Sequence, residues 1–344
     1  MLQPPGDVHE QALAALLTSA YGVSADEIAF LPLGADVDTA VYRVLGSDGT
    51  PYFLKLRRGA FSPLSVALPS ILAEQGHEWL IPPIPTLNGS SWSRHSPFTA
   101  VLYPFVGGLS GWDVALTDEQ WKVFGAALRA LHDFALPPTL ESLPAGEDFS
   151  SRWRRRVTGC LDSIGTLPLH DPVAVELVRL LREHHRTIRH IVQRAEELAN
   201  ELASQRLDLR LCHGDIHAGN VLIDTSGRLR IVDWDTLVLA PKERDLMFVG
   251  GGVGGRWNQE RELDSFYAGY GRGRGQGDGA ALVNKAALTY YRYERIVQDV
   301  AEFCAQLLES DQGGEDRRAA LAHFAAQFEP GNVVEIAIAT DEEL

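Results

Sequence analysis

Nine residues, Cys212 to Asn220 (CHGDIHAGN), bring a thiol, two imidazoles, a carboxylate and a carboxamide into one short stretch. Two chemistries compete for such a set. A zinc site needs three or four ligands converging at about 2.0–2.3 Å. The spacing is wrong for it: Cys212 and His213 are adjacent, so an extended chain points them to opposite sides, and no second Cys/His pair stands at a usual zinc-site spacing. Phosphoryl transfer fits better. His213, Asp215 and Asn220 read H-G-D-x-x-x-x-N, and Asp233 follows after two short β-rich runs. In kinase-type sites the loop Asp accepts the proton of the attacking hydroxyl. The Asn five residues on and an Asp beyond the next strand pair hold magnesium against phosphate oxygens. Magnesium takes few protein oxygens and fills its remaining positions with phosphate and water, so Asp215, Asn220 and Asp233 meet the demand. Asp235, two residues on in D-W-D, is a further candidate for metal or for a substrate amine, and His217 for orienting the loop or substrate.

Such a site needs a cation for the phosphates and elements that hold it in place. Lys55 lies among apolar residues in YFLKL, where a lysine is uncommon; an edge-strand role is the alternative. A helix carboxylate should fix its amine, and Glu74 in ILAEQG is best placed, with Glu78 as the alternative. The phosphate-covering segment is expected in LGADVDTAVY, where backbone amides from Gly34 through Asp36 to Thr39 can cap an anion although only one glycine is present. The glycine-rich GGGVGG at Gly250–Gly255 has neither the preceding strand nor the βαβ context of a dinucleotide fingerprint. It reads as a tight backbone approach or hinge.

The elements themselves follow from periodicity. After a helix in QALAALLTSAYG, the runs EIAFLPL, AVYRVL and PYFLKLR alternate as strands, and Asp48-Gly49 between the last two is a hairpin signal. A short helix over Leu68–Gly76 and a strand in FTAVLYPFVGG complete an N-terminal lobe over 1–106, closed at Gly107-Gly108. Beyond it the period becomes about 3.6. Thr117 to Gln120 form a capping-box pattern ahead of Trp121, Phe124, Leu128 and Leu131. Asp171-Pro172 is expected to start one long helix with Leu177, Leu181, Ile188, Ile191, Ala195, Leu198 and Leu202 as its buried stripe, and His184, His185 and His190 on its solvated side. Two β-rich runs joined by a turn at Ser226-Gly227 carry the motif residues, and a helical tail follows, interrupted by GRGRGQGDG (Gly271–Gly279). Residues 107–344 are thus expected to form one mostly helical lobe, and the whole an α+β fold.

Composition narrows the partners. With 344 residues, 45% hydrophobic and 22% charged, the chain is globular in character. A net charge of −15 argues against a phosphate-backbone binder and accommodates a small cationic substrate. Three scattered cysteines are no disulfide framework and suit a reducing compartment. The start lacks a basic stretch followed by an apolar core, and no run reaches the roughly 18–20 apolar residues of a membrane span. The expectation is a cytoplasmic protein with no nucleic-acid or membrane partner, a monomer by slight preference.

With these parts assembled, HGDIHAGNVLID and IVDWD resemble the catalytic and metal motifs of the aminoglycoside phosphotransferase family, small-molecule kinases with a two-lobed protein-kinase-like fold. The resemblance implies ATP (or GTP) and Mg2+ as cofactors, Asp215 as base, Asn220 and Asp233 as metal ligands and Lys55 as phosphate anchor. It also implies Tyr103, Phe105 and Val106 as the backbone segment meeting adenine, His213 as a loop brace, and Asp245 in KERDL as the structural Asp behind the catalytic loop. The segments APKERDLMFVGGGVG, YYRYERIVQDVAEF and NVVEIAIAT are similar to the branch of that family that phosphorylates spectinomycin, an aminocyclitol antibiotic. Acidic residues on the helical side, Glu294, Asp299 and Glu302 among them, are then candidates to receive a cationic antibiotic. Kinases of choline, homoserine or methylthioribose share the same core motif, and a nucleotide-binding regulator without transfer is the rival of another class.

Overall fold

Alternating apolar residues along 39–58 and 98–104 build the first sheet of the computed structural model, which describes residues 4–6, 8–33, 38–140, 144–165, 171–271, 283–309 and 314–344. The strands are β1 (Ala25–Leu31), β2 (Thr39–Gly46), β3 (Pro51–Arg58), β4 (Ser93–His95), β5 (Phe98–Pro104), β6 (Gly108–Ser110), β7 (Ala145–Gly146), β8 (Leu209–Cys212), β9 (Val221–Asp224), β10 (Leu229–Ile231) and β11 (Val238–Pro241). The α-helices are α1 (Glu10–Leu16), α2 (Leu64–Glu74), α3 (Asp118–His132), α4 (Arg152–Ser163), α5 (Pro172–Glu183) and α6 (His185–Ala203). They continue with α7 (Glu243–Leu246), α8 (Glu260–Tyr270), α9 (Lys285–Leu308), α10 (Gly314–Ala326) and α11 (Val333–Glu342).

Two units emerge from the contacts: Met1–Ala115 with Leu136–Pro144 and Gly219–Leu237, and Leu116–Ala135 with Ala145–Ala218 and Val238–Leu344. Residues 219–237, expected inside a lobe spanning 107–344, therefore belong to the first unit. The cause is strand pairing: β9 hydrogen-bonds antiparallel to β6 with Leu109 opposite Ile223, and β10 pairs on its other side.

The first unit holds an antiparallel sheet in the order β1-β2-β3-β5-β4. Its Asp48-Gly49 hairpin forms as expected, with Gly49 at φ 80° and the Asp48 carboxylate accepting from Thr50 N–H. Tyr42, Val44, Leu54, Leu56, Ala100 and Leu102 turn one face of the sheet onto Leu13, Leu16 and Leu17. Because side chains alternate along a strand, Phe53, Lys55 and Arg57 of β3 belong to the other face. The expected helix at Leu68–Gly76 begins earlier, at Leu64, with Pro69 inside it, and ends at Glu74.

The second unit is mostly helical around α9, which packs on α4, α6, α10 and α11. The Thr117–Gln120 capping box is present at the start of α3. Helices α3 and α8 approach through glycines: a Cβ on Gly125 would lie 2.1 Å from Phe266 O, and one on Gly269 would lie 1.9 Å from Lys122 O. Trp121, Phe124, Trp257 and Phe266 pack their rings at this crossing, at centroid distances of 5.2–6.4 Å.

The single long helix expected from Asp171 is two helices. The stripe residues are buried as expected, but the chain breaks at His184, whose ring stacks on Phe328 at 4.0 Å and 7°. A shared apolar period over two helices does not reveal a one-residue break between them. Cys160 on α4 and Cys304 on α9, distant in sequence, place their sulfurs 2.9 Å apart. At GGGVGG the backbone does approach closely, since a Cβ on Gly251 would meet Met247 O at 2.1 Å. The glycine tract Gly271–Gly279 lies, but for Gly271, outside the described residues.

Candidate active site

Lys55 is held in the first unit by two carboxylates. Its ammonium donates to Asp233 Oδ1 at 2.8 Å and lies 2.7 Å from Asp235 Oδ2, while Arg57 Nη1 reaches the same Asp235 oxygen at 2.5 Å. Burial alone would lower the lysine pKa; the charges of Asp233 and Asp235 outweigh it and hold the amine above its ordinary value. Arg57 follows Lys55 by the strand period of two, which is the signal that could have marked it. The expected Lys55–Glu74 pair is not formed: Glu74 is exposed at the last residue of α2, and Glu78 is exposed as well.

Asp233 and Asn220 come from neighbouring backbone. Val232 N–H donates to Asn220 O at 3.0 Å, tying the end of β10 to the start of β9. Asp233 has φ 62° and ψ 66°, a left-handed conformation that a residue with a Cβ adopts at about 1–3 kcal/mol. Such strain persists where the surroundings enforce it. Asp233 is 50% exposed and already draws an ammonium, and Asn220 adds an amide group. Hard oxygen donors with few protein ligands suit magnesium, so the residues fit the ion that the sequence motif calls for. Tyr103 shares the Lys55 face of the sheet by register, Phe53 being opposite it, and burial pushes its phenol well above the ordinary value. Phe105 donates its N–H to Pro51 O and its ring lies under the Arg43 guanidinium; Val106 follows, half-buried, and Thr39 opens β2. Gly34 and Asp36 lie outside the described residues.

The second unit builds the loop of Asp215. Asp245, with no exposure, accepts from His213 N–H and Gly214 N–H at 2.8 Å each, and its Oδ2 meets His132 Nε2 at 3.0 Å. The other His132 nitrogen bonds Tyr270 OH at 2.7 Å. Burial would raise the Asp245 carboxyl, but the His132 and His213 imidazoles and the Gly214 N–H hold it below the usual carboxylate range. Gly214, at φ 86°, supplies the left-handed turn that aims both amides at one carboxylate. His132 was invisible to sequence reasoning because it sits 113 residues from Asp245. His132, Cys212 and Asp245 also place their donor atoms within 4.8 Å of one another. Each is engaged: Cys212 contacts Ala240 O and Pro241 O at 3.6 Å, and burial pushes its thiol well up, away from the thiolate a metal takes.

Asp215 follows this braced turn, 29% exposed. Arg295 on α9 donates to its Oδ1 at 2.7 Å, and His217 Nε2 lies 3.6 Å from Oδ2. Burial would raise the Asp215 carboxyl; Arg295, His217 and His213 overcome it and keep it below the ordinary value. Asp299 belongs to the same cluster, 3.0 Å from Arg295 Nε. Glu294 does not. It is buried against Arg154 at 2.5 Å, and Arg154 also reaches Glu196, so Glu294 serves the packing of α9 on α4 and α6 rather than a substrate. Adjacent helix residues point about 100° apart, which is why Glu294 and Arg295 face different neighbours. Glu302 is exposed and accepts from Gln298.

The fold and these motifs define a kinase-like phosphotransferase. Residues 29–282 match the model of the phosphotransferase enzyme family, and the chain belongs to that family. Among solved structures it is similar to spectinomycin phosphotransferase APH(9)-Ia in complex with ADP and spectinomycin. Identity is 34% over 98% of this chain and 99% of that one, with a TM-score of 0.88. The AMP-bound complex of the same enzyme is similar at 33% identity, covering 97% and 99%, with a TM-score of 0.84. Protein StrN of Streptomyces griseus is 28% identical over 223 residues, 63% of this chain and 67% of its own length. The aminoglycoside phosphotransferase resemblance and the two-lobed fold expected from the motifs are thereby established. No helix among the described residues is long and apolar enough to cross a membrane.

Proposed function

We propose that this phosphotransferase moves the γ-phosphoryl group of ATP to a hydroxyl of an aminocyclitol antibiotic, spectinomycin being the acceptor of choice, and so inactivates it. The observation that carries the reading is the 34% identity to spectinomycin phosphotransferase along nearly the whole of both chains. Asp215 accepts the proton of the acceptor hydroxyl, while the oxygen attacks the γ-phosphorus and the bridging oxygen leaves with ADP. Lys55 neutralises phosphate oxygens. Asn220 and Asp233 hold Mg2+, which when bound shields the charge on the phosphates. Tyr103, Phe105 and Val106 meet the adenine, and Asp235 with Arg57 sets the position of Lys55. His213 and Asp245 keep the Asp215 loop in shape. The chain's net charge of −15 supports a cationic acceptor, whereas Asp299 on α9 is already paired with Arg295. Positioning and charge neutralisation provide most of the acceleration in such a transfer.

Incubation with Mg-ATP and, separately, spectinomycin, streptomycin, kanamycin and choline tests the reading by mass spectrometry. Spectinomycin is expected to gain one phosphoryl group, about 80 Da. A gain on another acceptor alone would keep the reaction and replace the substrate; no gain on any would remove the proposal.

A further inference from the structure

The carboxylate of Asp215 is gripped from outside its own loop. Arg295 reaches it from α9, 80 residues on, with Nη1 at 2.7 Å from Oδ1. One turn further along α9, Asp299 Oδ1 lies 3.0 Å from Arg295 Nε. The guanidinium also lies over the Phe248 ring, 5.7 Å from its centroid. Arg295 and Asp299 are only 19% and 18% exposed and stand one turn apart on α9, so the cation that reaches the Asp215 loop has its acidic neighbour on the same helix. The other charged groups around Asp215 are His213 and His217 on its own loop, with Asp245 behind His213 and Glu302 on α9 acting on Arg295.

We propose that Arg295 is the positioning residue of the transfer: its guanidinium, anchored by Asp299, fixes the rotation of the Asp215 carboxylate so that the acceptor hydroxyl always meets it in one orientation. This rests on the phosphotransfer reading above. A cation on a general base weakens it as a base. In phosphoryl transfer that loss matters little, because the transition state is loose and catalysis is dominated by positioning. Orientation matters more, since a misplacement of about 1 Å can cost about 100-fold in rate. A planar guanidinium that donates to Asp215 through Nη1 and is ion-paired to Asp299 beside Nε restricts a carboxylate in a way that a lysine ammonium, a point charge on a flexible stem, does not. Asp299 belongs to the same device. Burial pushes its carboxyl up to about 6 against the pull of Arg295, so the anchor is at full strength only above that pH.

Steady-state kinetics on the full chain with Mg-ATP and spectinomycin, across pH, test this with Arg295→Gln, Arg295→Lys and Asp299→Asn. Arg295→Gln is expected to lower kcat by about 10- to 100-fold and leave the KM for ATP within about twofold. Removing the cation lets Asp215 bind its proton at higher pH, so the acid limb of kcat/KM moves upward. Arg295→Lys should restore the acid limb and only part of kcat, and Asp299→Asn should lower kcat less than Arg295→Gln. An acid limb unmoved in Arg295→Gln, or a loss falling wholly on the KM for ATP, overturns the proposal. Should Arg295→Gln fail to fold, Arg295→Lys and Asp299→Asn decide: parental kcat in both overturns it. Asp215→Asn separates the two levels. Retained turnover there sinks the base assignment itself, whereas lost turnover with an unchanged Arg295→Gln profile sinks only the clamp.

Discussion

Asp245 and Asp233 are carboxylates of the same motif system in opposite circumstances. Asp245 has no exposure and spends its oxygens on two backbone amides and an imidazole. Asp233 is half-exposed, sits on a left-handed backbone and faces a lysine ammonium. The first is satisfied from within and shapes a loop. The second carries strain and charge at the surface of its unit, the condition of a group kept for a ligand. Sequence neighbours give no hint of this division; burial and partners do.

Truncating each carboxylate should pull stability and activity apart. Asp245→Ala strands two buried amides and His132, and is expected to cost about 3–5 kcal/mol, read as a lower midpoint of urea unfolding. Asp233→Asn should cost less, about 1 kcal/mol, because Lys55 keeps Asp235 as a charge partner, the asparagine oxygen can still accept, and asparagine tolerates the left-handed region. Turnover should nevertheless drop about 1000-fold, roughly 4 kcal/mol of barrier, together with the Mg2+ dependence of nucleotide binding in calorimetry. Equal destabilisation by the two changes would break the comparison.

A smaller effect sharpens it through pH. Burial pushes the Glu294 carboxyl from 4.5 up to about 6, Arg154 notwithstanding, so between those values the folded chain holds a proton that the unfolded chain has released. Stability therefore falls as pH rises through that window. Asp245 has the other sign: its depressed carboxyl contributes stability that is present above the unfolded value of 3.8 and is lost as pH falls. Glu294→Gln should remove part of the decline in Tm between pH 4.5 and 6 and leave the acid unfolding limb in place. A Tm profile identical to the parent's would assign the titration elsewhere.

Much of the site was legible in the chain because it is local. H-G-D-x-x-x-x-N and D-W-D carry their spacing within single loops, the Asp48-Gly49 hairpin and the Thr117 capping box are five- and four-residue events, and strand alternation alone separates Lys55 from Leu54 and Leu56. The partners were not. Glu74 stands on the helix that follows Lys55, yet two carboxylates 178 and 180 residues on take the lysine's ammonium. Glu294 and Asp299 looked alike as acids on one helix until one proved buried against Arg154.

The reaction class, the donors suited to a metal and the antiparallel sheet are written in the chain, since each rests on residue types at short fixed spacing. That His132 and Asp245 brace the loop, that Arg295 grips Asp215 and that Asp233 bears its left-handed strain emerge with packing. Those pairings join distant segments, and their strength comes from burial and low local dielectric, which exist only once the chain has packed.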